Sequence, residues 1–212
     1  MGRLQLLDDA VINKIAAGEV VERPASVIKE LIENAIDAGA GKIDVAIEQG
    51  GTKSIAVTDD GSGMTEADAK LAVKRHATSK IASADDLFQI STMGFRGEAL
   101  ASIGAVSKFS LSTSRGEGEG TKVAIEGGTQ ERTYTWNGPR GTTVVADELF
   151  FNIPVRSKFL KKAQTEYAHC SEVVQSIALC HPELAFTLTH NGREQASYPA
   201  VTQDRPQTLF GE

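Results

Sequence analysis

Pro24-Ala25-Ser26-Val27-Ile28-Lys29-Glu30-Leu31-Ile32-Glu33-Asn34-Ala35-Ile36-Asp37-Ala38 sets the reading of everything around it. Val27, Ile28, Leu31, Ile32, Ala35 and Ile36 recur every three or four residues, the period of an amphipathic helix over 24–38. Pro24 near the start and Gly39 just past the end are placed as helices place them. Opposite the apolar stripe, Glu30, Asn34 and Asp37 stand at i, i+4 and i+7 and share one face. Beyond Gly39, Ile43, Val45 and Ile47 alternate, and so do Ile55 and Val57 after Gly50-Gly51, which predicts a hairpin. Its second strand runs into Asp59-Asp60-Gly61-Ser62-Gly63. Thr65 with Asp68 makes a capping box, so a helix is expected over 66–75.

Residues 76–98 show little periodicity and read as a long loop, a feature usually functional or disordered in compact domains. A helix over 98–105 follows, then alternating strands near 107–114, 121–126, 131–136 and 142–147. Arg115-Gly116-Glu117-Gly118-Glu119-Gly120 is a hairpin tip between two of them. A longer helix is expected over 164–180, and His190-Asn191-Gly192-Arg193 is a type I′ turn between two final strands. The tally is α+β, a mostly antiparallel mixed sheet with helices on one face.

The chain has 212 residues, enough for one large domain with a buried core. Lys and Arg number 22 against 28 Asp and Glu, a net charge of −6. That balance excludes a chain-wide basic surface and permits a local one. No apolar run approaches a membrane span, and Asp8-Asp9 interrupt any signal peptide. Leu6 stands where myristoylation wants Ser or Thr. Two cysteines, Cys170 and Cys180, make no disulfide framework and fit a reducing cytoplasm. His169-Cys170 and Cys180-His181 sit ten residues apart in a helix, a rise of about 15 Å, too far to share one ion.

Four places can carry chemistry. The Glu30–Asn34–Asp37 face is either a solvated acidic surface or a site for a divalent cation. Mg²⁺ takes oxygen ligands, so an Asn amide oxygen suits it. A Glu one turn away can then deprotonate an attacking water. Asp59-Asp60-Gly61-Ser62-Gly63 is either a tight turn or a base-reading loop, its carboxylate accepting from an exocyclic amine while glycines admit the base. Gly94-Phe95-Arg96-Gly97-Glu98-Ala99-Leu100 is either a hinge or an anion cradle at a helix start. Thr78-Ser79-Lys80 adds hydroxyls and a cation to the same loop. Neither G-x-x-x-x-G-K-[ST] nor G-x-G-x-x-G occurs, so a nucleotide here needs another scaffold.

Taken together, Glu30-x-x-x-Asn34-x-x-Asp37, Asp59-x-Gly61-x-Gly63, Gly94–Leu100 and Gly141-Thr142-Thr143-Val144 resemble the four ordered motifs of the GHKL ATPases. Three stretches narrow the resemblance to the mismatch-repair MutL family: residues 15–26, IAAGEVVERPAS; 76–81, HATSKI; and 94–103, GFRGEALASI. Residues 151–160 fit too, with Val155 where a small residue is expected. The resemblance implies a Bergerat-type α/β sandwich over residues 1–200, with 201–212 beginning a truncated transducer domain. It implies Glu30 as the general base and Asn34 as the Mg²⁺ ligand. Asp59 would read the adenine amine, with Asp37, Ala38, Gly61, Gly63, Met64 and Thr143 around the nucleotide. Thr78, Ser79, Lys80, Gly94, Phe95, Arg96, Gly97, Glu98, Ala99 and Leu100 would form the lid over the phosphates.

ATP and Mg²⁺ are the cofactors so implied. The expected partners are a second copy of the chain on ATP binding, a mismatch-recognition protein with other repair proteins, and DNA bound weakly without sequence preference. No membrane partner is expected. Ordering about 20 loop residues costs much entropy, which suits a slow switch. The family's lysine to the γ-phosphate comes from the transducer domain, so impaired hydrolysis is expected of this length of chain. Two other readings stand beside this one. One is a nucleotide-binding scaffold with negligible turnover; the other is a DNA-binding module using Arg156, Lys158, Lys161 and Lys162. A two-carboxylate hydrolase using Glu30 and Asp59 leaves the glycine loop unexplained.

Overall fold

The computed structural model describes residues 17, 18, 20–75, 77 and 97–201. Helix α1 (Pro24–Asp37) forms where the apolar spacing predicts it and buries Val27, Ile28, Leu31, Ile32 and Ala35. Each fully buried Ile of that stripe is worth about 2 kcal/mol relative to exposure. The helix ends one residue short of the expected Ala38. Gly39 takes φ +71° there and its N–H bonds to the Ile36 carbonyl at 2.9 Å.

Strands β1 (Lys42–Glu48) and β2 (Ser54–Asp59) form the expected hairpin, joined through a 3₁₀ turn at Gln49–Gly51. Helix α2 (Glu66–Ala72) is shorter than expected, and Thr65 Oγ1 accepts from the Asp68 N–H at 3.2 Å. Helix α3 (Ala99–Ala105) leads into β3 (Lys108–Ser114), β4 (Gly120–Glu126), β5 (Thr129–Trp136) and β6 (Gly141–Asp147). A short helix α4 (Pro154–Ser157), unforeseen in the sequence, precedes α5 (Ala163–Cys180). Strands β7 (Ala185–His190) and β8 (Arg193–Tyr198) close the described chain around Asn191 and Gly192, at φ +51° and +74°, as a type I′ turn requires.

Among the described residues, all eight strands share one sheet in the order β5-β4-β3-β6-β2-β1-β7-β8. Neighbours are antiparallel except β1 and β7, which run parallel with Ile43 opposite Phe186. A parallel pair needs a crossover, and α5 ends just before β7. One face of the sheet carries Ile43, Val45, Ile47, Ile55, Val57, Phe109, Leu111, Val123, Val144, Ala146, Phe186 and Leu188, all buried. The helices pack on that face, as the α+β reading expects. The alternate positions include Lys42, Asp44, Glu48, Lys108, Lys122 and Asp147, whose charges belong in water. Among them Lys42 pairs with Asp44 at 2.7 Å.

Candidate functional site

Strand β2 delivers Asp59 to the edge of the buried face. Its partner in register on β6 is Thr142. Asp59 Oδ1 accepts from the Gly61 N–H at 2.9 Å and the Thr142 N–H at 3.3 Å. Oδ2 takes no hydrogen bond from another described residue and remains an acceptor. Burial pushes the Asp59 carboxyl above the usual carboxylate range; the two N–H groups oppose the shift and Asp60 adds to it. Asp60 does different work. Its Oδ1 accepts from the N–H groups of Gly41 and Lys42 at 2.7 and 2.9 Å, tying the end of β2 to the start of β1. The turn reading therefore fits Asp60, and the acceptor reading fits Asp59.

The loop after Asp59 folds against the end of α1. The Ser62 N–H bonds to the Ala38 carbonyl at 2.9 Å. A Cβ on Gly61 would come within 2.9 Å of that same carbonyl oxygen and of Asp59 Oδ1. Gly63, at φ +65°, passes so close to β3 that a Cβ would stand 1.9 Å from the Ser114 carbonyl oxygen. Met64 follows with its N–H on Thr113 Oγ1 at 2.9 Å, and Arg140 Nε donates to the Gly61 carbonyl at 3.1 Å. The loop carrying Asp59, Gly61, Gly63 and Met64 is thus joined to Ala38, the residue after Asp37. Half-buried Asn34 and Glu30 lie one and two turns back along α1. From Asp37 to Glu30 the helix rises about 10 Å.

At the other end of the long loop, Gly97 has φ +60° and Glu98 caps α3, which opens at Ala99 and Leu100. Arg75 reaches Glu98 at 3.8 Å, linking the end of α2 to this segment. Thr78, Ser79, Lys80, Gly94, Phe95 and Arg96 lie outside the described residues, as do residues 202–212 of the domain start expected at 201–212.

The structure does not bring the Thr143 side chain to Asp59. Strand alternation points it to the opposite face of the sheet, where its hydroxyl meets Thr58 Oγ1 at 3.1 Å. Thr142 shares the face of Asp59 instead. The sequence carried a signal for this: the Thr143-Val145-Asp147 series ends on a charge, and the Thr142-Val144-Ala146 series does not. Thr113 reads as an ordinary strand residue until β3 is aligned beside β6.

The basic cluster divides. Lys158, Lys161 and Lys162 are exposed, but Arg156 is half-buried. Its Nη1 donates to the Val21 carbonyl at 3.1 Å, and its guanidinium lies 5.9 Å from the Phe150 ring centroid. Arg156 therefore holds the segment before α1. In α5, Cys170 is buried, its thiol pushed up to about 12 by burial, and Cys180 is exposed. Among the described residues no helix is long and apolar enough to cross a membrane.

A half-buried acceptor at a strand end, a glycine loop against the end of a helix and a polar helix face make an arrangement that is neither a P-loop nor a dinucleotide fingerprint. Residues 22–143 match the histidine kinase-, DNA gyrase B- and HSP90-like ATPases, and the chain belongs to that family. It is 48% identical over 212 residues to the DNA mismatch repair protein MutL of Streptococcus agalactiae, covering all of this chain and 32% of that protein. It is 54% identical over 194 residues to MutL of Anaeromyxobacter sp. strain K, covering 91% of this chain and 32% of that one. The MutL ATPase domain of Aquifex aeolicus, solved with ADP, matches with a TM-score of 0.69 at 36% identity, over 86% of this chain and 66% of that one. The chain spans about a third of the length of the two MutL sequences.

Proposed function

We propose that this chain binds ATP with Mg²⁺ and hydrolyses it slowly, as the nucleotide-operated part of a MutL-type mismatch-repair protein. The observation that carries the reading is Asp59. Its Oδ1 is fixed by two backbone N–H groups, and its Oδ2 is left to accept from an adenine amine. The donor set on α1 fits the rest. Asn34 would hold Mg²⁺ through its neutral amide oxygen, and the ion would neutralise phosphate charge. Glu30, one turn away, orients a water and takes its proton. Because α1 is pinned by its buried stripe, both groups sit on a rigid element.

Nucleotide-driven pairing of two copies, contact with a mismatch-recognition protein and weak DNA binding are the finer parts of the proposal. Their support is the resemblance to MutL. For DNA it is narrowed to Lys158, Lys161 and Lys162, since Arg156 has an internal role. The scaffold reading, binding without turnover, differs only at Glu30 and is separated by the rate measurement argued in the Discussion.

The metal assignment is tested by Asn34→Ala. Titration with a non-hydrolysable ATP analogue is expected to show about tenfold weaker binding with Mg²⁺ present and little change in EDTA. An equal loss in both conditions would count against Asn34 as a ligand.

A further inference from the structure

We propose that Thr113 is a positioning residue that sets the preference of this site for adenine over guanine nucleotides by fixing what the Thr142 hydroxyl can offer. The inference rests on the nucleotide reading above and names the group that enforces its base selectivity. Thr113, Thr142 and Asp59 stand side by side on three adjacent strands, β3, β6 and β2, with Thr113 opposite Thr142 and Thr142 opposite Asp59. Thr113 is fully buried, and Thr142 is 8% exposed.

The Thr113 hydroxyl has one proton and two lone pairs, and three groups surround it. The Met64 N–H donates to it at 2.9 Å. The Gly141 carbonyl oxygen lies 3.1 Å away and Thr142 Oγ1 lies 3.0 Å away. A carbonyl only accepts, so all three contacts are satisfied together only when the single Thr113 proton goes to Gly141. The Thr142 contact is then a hydrogen bond only if Thr142 donates. With its proton spent on Thr113, Thr142 presents lone pairs alone to a ligand, as Asp59 Oδ2 does.

A site edged by two acceptors and no hydroxyl donor matches the exocyclic amine of adenine and repels the carbonyl that guanine carries there. Thr113 also ties Met64, the end of the Gly61–Met64 loop, to the strand bearing Thr142. It thereby holds both walls of the base site in register. Removing the hydroxyl leaves the Met64 N–H without this partner and frees the Thr142 proton to turn outward, where it can meet a guanine carbonyl.

The test is calorimetric titration of the whole chain and its variants with non-hydrolysable ATP and GTP analogues, with thermal midpoints measured alongside. Thr113→Val is expected to lower the ATP-to-GTP affinity ratio about tenfold, and Thr113→Ser to keep it within about twofold of the unaltered chain. Thr142→Val removes the same contact from the other side and should lower the ratio similarly, which keeps the test decisive if Thr113→Val does not fold. A folded Thr113→Val or Thr142→Val chain with an unchanged ratio overturns the proposal, as does a serine variant that behaves like the valine one. If the unaltered chain binds neither analogue, the nucleotide reading itself fails and this inference falls with it.

Discussion

Replacing Glu30 with alanine is expected to slow ATP hydrolysis about a hundred- to ten-thousandfold while leaving ATP affinity within about threefold. The size follows from what phosphoryl transfer to water needs. On the proposed reading, charge on the phosphates would be met by Mg²⁺ and backbone N–H groups, which the substitution leaves alone. What would be lost on that reading is the group that holds and deprotonates the attacking water. Glu30 is also one turn from Asn34 rather than beside Asp59, so neither base reading nor metal ligation passes through it. The measurement is single-turnover hydrolysis with the chain in excess over ATP, beside a binding titration. A drop in affinity as large as the drop in rate would mean that Glu30 holds the nucleotide rather than the water. No measurable rate in the unaltered chain would favour the scaffold reading.

Asp59→Asn is expected to weaken ATP binding roughly ten- to a hundredfold, the scale of a lost hydrogen bond to a charged group. The loss should be smaller for GTP, whose carbonyl can meet the new amide. The same change should raise the thermal midpoint of the ligand-free chain at neutral pH. Burial raises the folded-state pKa of Asp59, so the native state holds that proton more tightly than the unfolded chain does. Stability therefore increases as pH falls through the folded value, and ionised Asp59 at neutral pH is a cost to the native state. Asparagine keeps an oxygen for the Gly61 and Thr142 N–H groups and removes the half-buried charge. A variant both weaker in binding and less stable would show that Asp59 is structural, as Asp60 is.

Legibility in the sequence followed how local each cause was. Helix α1, the β1–β2 hairpin, the Thr65 cap and the Asn191-Gly192 turn all arise from neighbours within a few residues, and each stands within a residue or two of its expected place, apart from the early end of α2. The parallel pairing of β1 with β7 joins Ile43 to Phe186 across most of the chain, and no local pattern encodes it. The site divided along the same line. Asp59, Gly61 and the α1 face lie in short motifs, so their residues were legible. Thr142 against Thr143 is a question of one strand's phase, where a shift of one residue moves every side chain to the other face. Thr113 and Arg156 act through partners that only the folded chain brings near. Arg156 looked like surface charge because the Val21 carbonyl it holds lies 135 positions away.

The most direct test of the account is a calorimetric titration of this chain with a non-hydrolysable ATP analogue, with and without Mg²⁺. Saturable binding at one site per chain, tighter with Mg²⁺ and about tenfold or more weakened by Asp59→Asn, is the predicted result. Absence of binding up to millimolar analogue, or binding indifferent to both Mg²⁺ and Asp59, would contradict it.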